Sequence, residues 1–293
     1  MKCRWMLVAM IALLILSADG RQNLPKAPAR AQARPSARSA GVVDVPGAKL
    51  RYVVEGEGLP CLVIGSSVYY PRTFSADLRK SLKLIFMDLR QFAALDGSFP
   101  VENVTLETYM DDIEKVRRTL GIDKLCIIGH SIHGLLAFEY ACHYPQHTSR
   151  VVMLDIYPCG YHQISATTRE FWNKEASAER KEALKLNRER VTEGMLKQVS
   201  PSEAFARRYA ASGPMYWFDY KFDCLKLWDG VEAHDEVFTQ LLNKIFGEYD
   251  LTKRMSLNTA PIFLALGRYD FVVPYVLWDG VKDRVPKLSY NLF

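Results

Sequence analysis

Short, continuous apolar runs recur along the chain and predict strands that are buried on both faces. Such runs lie at 61–64, 84–88, 124–128, 151–155 and 262–266. Between two of them, residues 105–121 carry apolar side chains at helical spacing, with Gly121 as a stop. Short apolar strands that alternate with helices predict an α/β fold, in which a mostly parallel sheet is covered by helices on both faces.

The two ends of this region carry further strand patterns. Residues 49–56 alternate between apolar and polar positions, which is typical of an edge strand. The fold is predicted to begin near Gly41, and 288–293 is predicted to form the last strand.

The alternation breaks over residues 158–253, which are charged and helical in pattern at 168–205 and aromatic at 216–220. We expect an inserted helical cap that rests on the carboxyl edge of the sheet, where such sheets bind ligands. The core then consists of 41–157 and 254–293. The alternative is additional helical packing without a role in the site.

The first 40 residues have the composition of a leader and a linker. Lys2 and Arg4 precede an apolar stretch at 5–16, and the small residues at 18–20 fit a cleavage site, so 1–20 is predicted to be a signal peptide. The apolar stretch is shorter than the roughly 20 residues that span a bilayer. We therefore expect export to the periplasm or the exterior, with an uncleaved N-terminal anchor as the alternative. Residues 21–40, rich in Ala, Arg and Pro, are predicted to be disordered.

The formal net charge of +5 comes from this N-terminal region. Seven basic residues and one acid lie in 1–40, which leaves 31 basic and 32 acidic residues and a net charge of −1 for 41–293. The near-neutral folded region does not support nucleic-acid binding. No metal site is predicted either, because Pro145 interrupts the helix that would align His143 with His147.

A serine lies between a predicted strand and a predicted helix, in the run Gly129-His130-Ser131-Ile132-His133-Gly134. A strained strand-to-helix turn of this kind exposes a nucleophile at the edge of a sheet. Ser131 is therefore the candidate nucleophile, which would attack an acyl carbon once a base takes its proton. The alternative is a serine that only caps the helix.

With this turn, the chain resembles the α/β-hydrolase family, and most closely its proline-iminopeptidase-like branch with a helical cap. The resemblance covers 41–293 and depends on the residues around Ser66, the segments 87–90 and 129–134, and the segment 267–274. It implies an α/β-hydrolase fold with a serine nucleophile.

The resemblance also implies roles for individual residues. Asp270 matches the acid that orients a catalytic histidine, and Asp155, at the end of the preceding strand, is the alternative acid. The backbone amides of Ile132 and of Ser66 (or Ser67) match the oxyanion hole.

The sequence departs from the family pattern in three places. His133 replaces a glycine and is expected to crowd the turn, and the Ser66-Ser67 pair stands where His-Gly is usual. The third departure is the catalytic histidine, which relatives supply just after the last strand. We expect a C-terminally truncated sequence, with the base within roughly ten residues beyond Phe293.

The resulting hypothesis is an exported serine hydrolase that cleaves an ester or amide bond of a small molecule or short peptide, without a cofactor. Dehalogenase and epoxide-hydrolase chemistry is disfavoured, because those relatives use an aspartate where this chain has Ser131. One alternative is a proline iminopeptidase-type aminopeptidase, in which Glu203, Asp219 or Asp223 would bind the substrate's amine. The other is a catalytically inactive binding protein with the same fold.

Overall fold

The computed structural model describes residues 38–293, and within them nine strands form one sheet. The strands are β1 Ser39–Val45, β2 Ala48–Glu55, β3 Leu59–Gly65, β4 Leu82–Asp88, β5 Ala94–Leu95, β6 Leu125–His130, β7 Thr148–Leu154, β8 Ile262–Leu266 and β9 Leu288–Leu292. Their order is β1-β2-β4-β3-β6-β7-β8-β9, and β5 pairs with β2. The predicted apolar runs form the strands β3, β4, β6, β7 and β8.

From β4 to β9 all neighbouring strands of this order are parallel, so their carboxyl ends meet at one edge of the sheet. The prediction that residues 49–56 form an edge strand is wrong. β2 lies between β1 and β4 and is antiparallel to both. It is not at the edge, because β1 pairs with it along its full length and occupies the edge position. β1 begins at Ser39, two residues ahead of the predicted start at 41.

One helix precedes β6, the strand that leads to the serine turn, and another follows it. Helix α1, Leu106–Thr119, begins with a capping box in which Thr105 and Thr108 exchange hydrogen bonds. Helix α2, His133–His143, follows β6 directly, and its residues from His133 to Ala141 are all buried. A helix buried on every side is held firmly by the core, and so is the turn at its start.

The segment between β7 and β8 adds six further helices. They are α3 Ser165–Glu175, α4 Ala178–Arg190, α5 Glu193–Leu196, α6 Pro201–Ala211, α7 Gly213–Tyr216 and α8 Asp235–Gln240, and a π-helical turn at Leu241–Ile245 follows α8. Backbone hydrogen bonds join this inserted segment to the core, from Phe271 N–H to the Met215 carbonyl (3.0 Å) and from His234 N–H to the Gln91 carbonyl (2.9 Å). None of the helices over 38–293 combines the length and apolar character needed to cross a membrane.

Candidate active site

Ser131 occupies a strained turn between β6 and α2. Its φ of 55° lies in the left-handed region, which costs a non-glycine residue roughly 1–2 kcal/mol. Two hydrogen bonds hold the turn, from Ser131 N–H to the Leu154 carbonyl (2.8 Å) and from Gly134 N–H to the Ser131 carbonyl (2.7 Å). Gly129 is required as well, because a Cβ there would collide with the backbone carbonyl of His133. This geometry is the one that the sequence predicts for a nucleophile turn.

The predicted site residues line one cavity of about 290 Å³ at the carboxyl edge of the sheet. The set consists of Ser131, Asp270, Asp155, Ile132 and Ser66, whereas Ser67 is not part of the lining. Most of the remaining lining is aromatic and comes from the loop after β3 and from the inserted segment. The structure therefore brings together residues that are up to 204 positions apart in the sequence.

The loop after β3 carries a candidate oxyanion donor, and the carboxylate of Asp88 holds this loop in place. This carboxylate is fully buried and accepts the N–H of Ser67 at 2.6 Å and the Nε of Arg51 at 2.7 Å. Ser66 Oγ accepts two further N–H groups of the loop, both at 3.2 Å. These bonds stabilise the loop where the family pattern has His-Gly.

The same bonds distinguish the two candidate serines. The Ser67 amide is engaged with Asp88, whereas the amides of Ser66 and Ile132 donate no hydrogen bond to any residue in the described range. Ser66 and Ile132 both line the cavity with Ser131, and their free N–H groups are the kind of donor that stabilises an oxyanion. Of the two serines, Ser66 is therefore the better candidate for the second donor, beside Ile132.

The two candidate acids follow neighbouring strands, Asp155 after β7 and Asp270 after β8. Oδ1 of Asp270 accepts the N–H groups of Val272 and Val273, both at 2.8 Å, and Oδ1 of Asp155 accepts the N–H of Gly267 at 2.6 Å. Burial, with the added repulsion of Asp155, raises the pKa of Asp270 to about 7. Burial also raises the pKa of Asp155, while nearby His130 opposes this rise.

His133 does not crowd the turn as the sequence predicts, because the glycine at position 65 leaves room for its ring. A Cβ on Gly65 would collide with the Tyr70 ring and lie 3.0 Å from His133 Nδ1. The imidazole is 4% exposed and is bonded at both nitrogens, with Gln91 Nε2 at 2.9 Å from Nε2 and the Tyr70 hydroxyl at 3.2 Å from Nδ1. Burial, followed by the proximity of His130, lowers the pKa of His133 to about 3. His133 is thus a neutral, fixed part of the turn.

A buried hydrogen-bond chain determines the tautomer of His133. The Tyr109 hydroxyl donates to Gln91 Oε1 at 3.0 Å, so the Gln91 amide nitrogen faces His133 and donates to Nε2. The proton of His133 therefore sits on Nδ1 and points to the Tyr70 oxygen. The Tyr70 hydroxyl also lies within hydrogen-bond distance of His130 Nδ1, at 3.3 Å. Sequence reasoning missed Gln91, Tyr70 and Tyr109, since nothing in their spacing indicates that the fold brings them together.

The remaining histidines of the described range lie outside the cavity lining. Their rings contact groups elsewhere, namely His143 the carbonyl of Glu139, His147 the carbonyl of Asp123, His162 the carboxylate of Glu248 and His234 the carbonyl of Ala93. The inserted segment therefore does not contribute a histidine to the cavity.

The fold is that of the α/β hydrolases. A family model described as "alpha/beta hydrolase fold" matches residues 58–292, so the chain belongs to this family, as its resemblance implied. The AB hydrolase superfamily protein YclE of Bacillus subtilis is 32% identical over 255 residues, which cover 87% of this chain and 90% of that protein.

Two further proteins are similar at lower identity. Human Epoxide hydrolase 4 is 25% identical over 114 residues, which cover 37% of this chain and 32% of that protein. The crystal structure of proline iminopeptidase from Mycobacterium smegmatis superimposes with a TM-score of 0.63 at 18% identity and covers 87% of this chain and 90% of its own. At this identity the structural likeness shows the fold alone.

Proposed function

We propose that the protein is an exported serine hydrolase that cleaves an ester or amide bond of a small substrate through an acyl-enzyme on Ser131. One observation carries the proposal. Ser131 has a left-handed backbone conformation, and it lines the same cavity as two residues whose amides have no hydrogen-bond acceptor and as an acid that follows β8. A serine that only caps a helix needs neither the strain nor the amides.

In the proposed mechanism, each group has one role. Ser131 Oγ attacks the acyl carbon as a histidine takes its proton, and the Ile132 and Ser66 amides donate to the oxyanion. The histidinium then protonates the leaving group, and water attacks the acyl-enzyme by the same route. Asp270 orients the histidine through Oδ2, since two backbone N–H groups already hold Oδ1.

We propose that this histidine follows β9, as the resemblance implies. The end of β9 supports this position, because Phe293 N–H donates to the Leu266 carbonyl at 2.9 Å and Arg268 N–H donates to the Phe293 carbonyl at 2.7 Å. The next residues would thus continue beside the Gly267–Asp270 loop. Within the described residues, His130 is a second candidate for the base, one that the sequence does not indicate, since it also lines the cavity.

The geometry disfavours the two other hydrolytic functions. Glu203, Asp219 and Asp223, which were candidates for binding the amine of an iminopeptidase substrate, do not line the cavity, and Glu203 is paired with Arg207 at 2.6 Å. Epoxide-hydrolase chemistry would require an aspartate in place of Ser131.

Labelling with a fluorophosphonate probe tests the proposal on the protein expressed from its complete gene. Wild type and a Ser149→Ala control should react, because the Ser149 hydroxyl is buried outside the cavity. Ser131→Ala should not react. Asp270→Asn should lower the labelling rate at least about 100-fold and Asp155→Asn far less. Undiminished labelling of Ser131→Ala, or an unreactive wild type, would overturn the proposal.

A further inference from the structure

Six tyrosines line the cavity, and the hydroxyls of five of them are hydrogen bonded to no other residue of the described range. We call these five the tyrosine cluster: Tyr69, Tyr157, Tyr161, Tyr209 and Tyr216. Buried tyrosines elsewhere have partners, since Tyr109 donates to Gln91 at 3.0 Å and Tyr140 donates to Glu114 at 2.8 Å. Buried polar groups are nearly always paired. Among the five, only the hydroxyl of Tyr157 is fully buried, while Tyr161 and Tyr216 are 38% and 37% exposed. The hydroxyls that remain accessible at the cavity wall have no protein partner and are free to donate to a bound molecule.

Tyr157 is the most deeply buried member of the cluster. Its side chain follows β7 by three residues, is 3% exposed, and carries a fully buried hydroxyl without a partner. Leaving such a hydroxyl unpaired costs free energy of folding. Tyr161 lies close enough to add to the rise that burial causes in the pKa of Tyr157. These two residues form the part of the cluster that belongs to the loop after β7.

Tyr209 and Tyr216 form the part contributed by the inserted helices. Their rings are stacked, with centroids 5.7 Å apart and planes inclined by 17°. Arg180 fixes the end of α7 through hydrogen bonds from its guanidinium to the carbonyls of Pro214 (2.7 Å) and Trp217 (2.8 Å). These bonds fix the backbone on both sides of Tyr216, whose ring stacks on Tyr209 at the cavity wall.

The cluster lies beside the reaction centre and offers neutral donors. Burial, with a further contribution from Asp270, raises the pKa of Tyr216, and burial likewise raises the pKa of Tyr209 and Tyr69. All three hydroxyls therefore keep their protons at physiological pH. Over the described residues, the lining includes no Lys, Arg or Glu, and its only carboxylates are Asp155 and Asp270. Nothing in this lining complements an anionic substrate.

We propose that the tyrosine cluster is a specificity site for neutral esters with an aromatic or aliphatic body and a second oxygen acceptor, a ketone or ether, a few atoms from the scissile carbonyl. The aromatic lining would contact the body of the substrate, and the hydroxyls would donate to the second oxygen. This inference rests on the proposed function for the ester, but the recognition step itself requires no chemistry.

Equilibrium binding to Ser131→Ala tests the inference, with quenching of Trp217 and Trp228, which line the cavity, as the signal. The ligand pair is methyl 3-(4-acetylphenyl)propanoate and methyl 3-(4-isopropenylphenyl)propanoate, in which a =CH2 group replaces the carbonyl oxygen on a planar carbon of the same connectivity. We expect the acetyl ligand to bind roughly tenfold more tightly or better. Proline methyl ester, a cationic ligand, should bind more weakly than both.

Tyr-to-Phe variants assign this preference to the cluster. When Tyr209→Phe is introduced into the Ser131→Ala variant, the ratio of the dissociation constants of the two esters should come close to one. If that double variant does not fold, Tyr69→Phe is used in place of Tyr209→Phe. The control is Tyr144→Phe, which removes a hydroxyl outside the cavity and should leave the ratio unchanged. An equal affinity for the two esters, or tighter binding of proline methyl ester, would refute the inference.

A measurement of the hydrolysis of both esters by the wild-type protein, which retains Ser131, separates this inference from the proposed function. Hydrolysis without a preference for the acetyl ester would refute only the specificity site. Selective binding without any hydrolysis would refute the proposed function and leave the specificity site standing.

Discussion

The carboxylate of Asp88 accepts the backbone N–H of Ser67 at 2.6 Å, one residue away from the amide that is free to bind an oxyanion. The end of β4 thereby supports the loop that follows β3, its parallel neighbour. Arg51 on β2 holds the other carboxylate oxygen at 2.7 Å. The position of one candidate catalytic group thus depends on three adjacent strands.

Asp88→Asn tests this support. The amide keeps one acceptor oxygen but loses the ion pair with Arg51, so we expect stability to fall by about 1–3 kcal/mol in urea unfolding. We also expect kcat/KM for an ester to fall about tenfold or more, since the Ser66 amide loses its fixed position. The control is Asp44→Asn, which removes an exposed ion pair with Lys49 and should change neither quantity. Unchanged kcat/KM in Asp88→Asn would show that the loop holds its shape without this bond.

The backbone strain at Ser131 predicts that function costs stability at this position. Glycine adopts a φ of 55° freely, whereas alanine does not. We therefore expect Ser131→Gly to be more stable than Ser131→Ala by about 1 kcal/mol, with both variants inactive. Chemical denaturation of the two proteins measures the difference. Equal stabilities would indicate that the turn relaxes once the serine is removed.

In a protein that ends at Phe293, without the proposed histidine beside Asp270, the pH dependence of stability should carry the signature of Asp270. Its pKa of about 7 in the folded protein lies above the ordinary 3.8, so the folded state holds a proton that the unfolded state has lost. Its contribution to the unfolding free energy is present below pH 4 and declines as pH rises toward 7, by at most about 1.4 kcal/mol per pH unit. Asp270→Asn should remove this decline in urea unfolding at pH 4 to 7.5.

Asp250 provides a matched control for this measurement. Its Oδ1 accepts the N–H two residues ahead, from Thr252 at 2.9 Å, much as Oδ1 of Asp270 does from Val272. Hydrogen bonds with Thr252 lower the pKa of Asp250, which is the opposite shift. Asp250→Asn should therefore leave the decline between pH 4 and 7 in place. A decline that persists in Asp270→Asn would assign it to another group.

His133 should stay neutral to about pH 3, with its proton on Nδ1. Nitrogen-15 NMR of labelled imidazole measures both properties, because protonated and unprotonated ring nitrogens differ in chemical shift. Tyr109→Phe removes the donor that orients the Gln91 amide, and we expect a loss of about 1 kcal/mol and a mixture of His133 tautomers. A single Nδ1–H tautomer in Tyr109→Phe would show that Tyr70 alone sets the proton position.

The sequence predicted the strands of the parallel sheet because each is a short apolar run that has to be buried on both faces. It failed at β2, whose alternating pattern fits an edge strand equally well until β1 is seen to pair outside it. It also predicted the strained serine turn, since the order of strand, serine and helix is local in the chain. The clash expected from His133 was wrong, because the space that Gly65 leaves for its ring comes from another strand.

What the sequence by itself determined is thus the local part of the site: Ser131 at the junction of β6 and α2, and acidic residues at the ends of β7 and β8. Only the tertiary structure decided which amide is free, because Ser66 and Ser67 are equivalent until Asp88 engages one of them. It also decided the neutral state of His133 and the unpaired hydroxyls of the tyrosine cluster. The physical reason is that hydrogen bonding and desolvation depend on neighbours distant in sequence, whereas hydrophobic periodicity depends on neighbours along the chain.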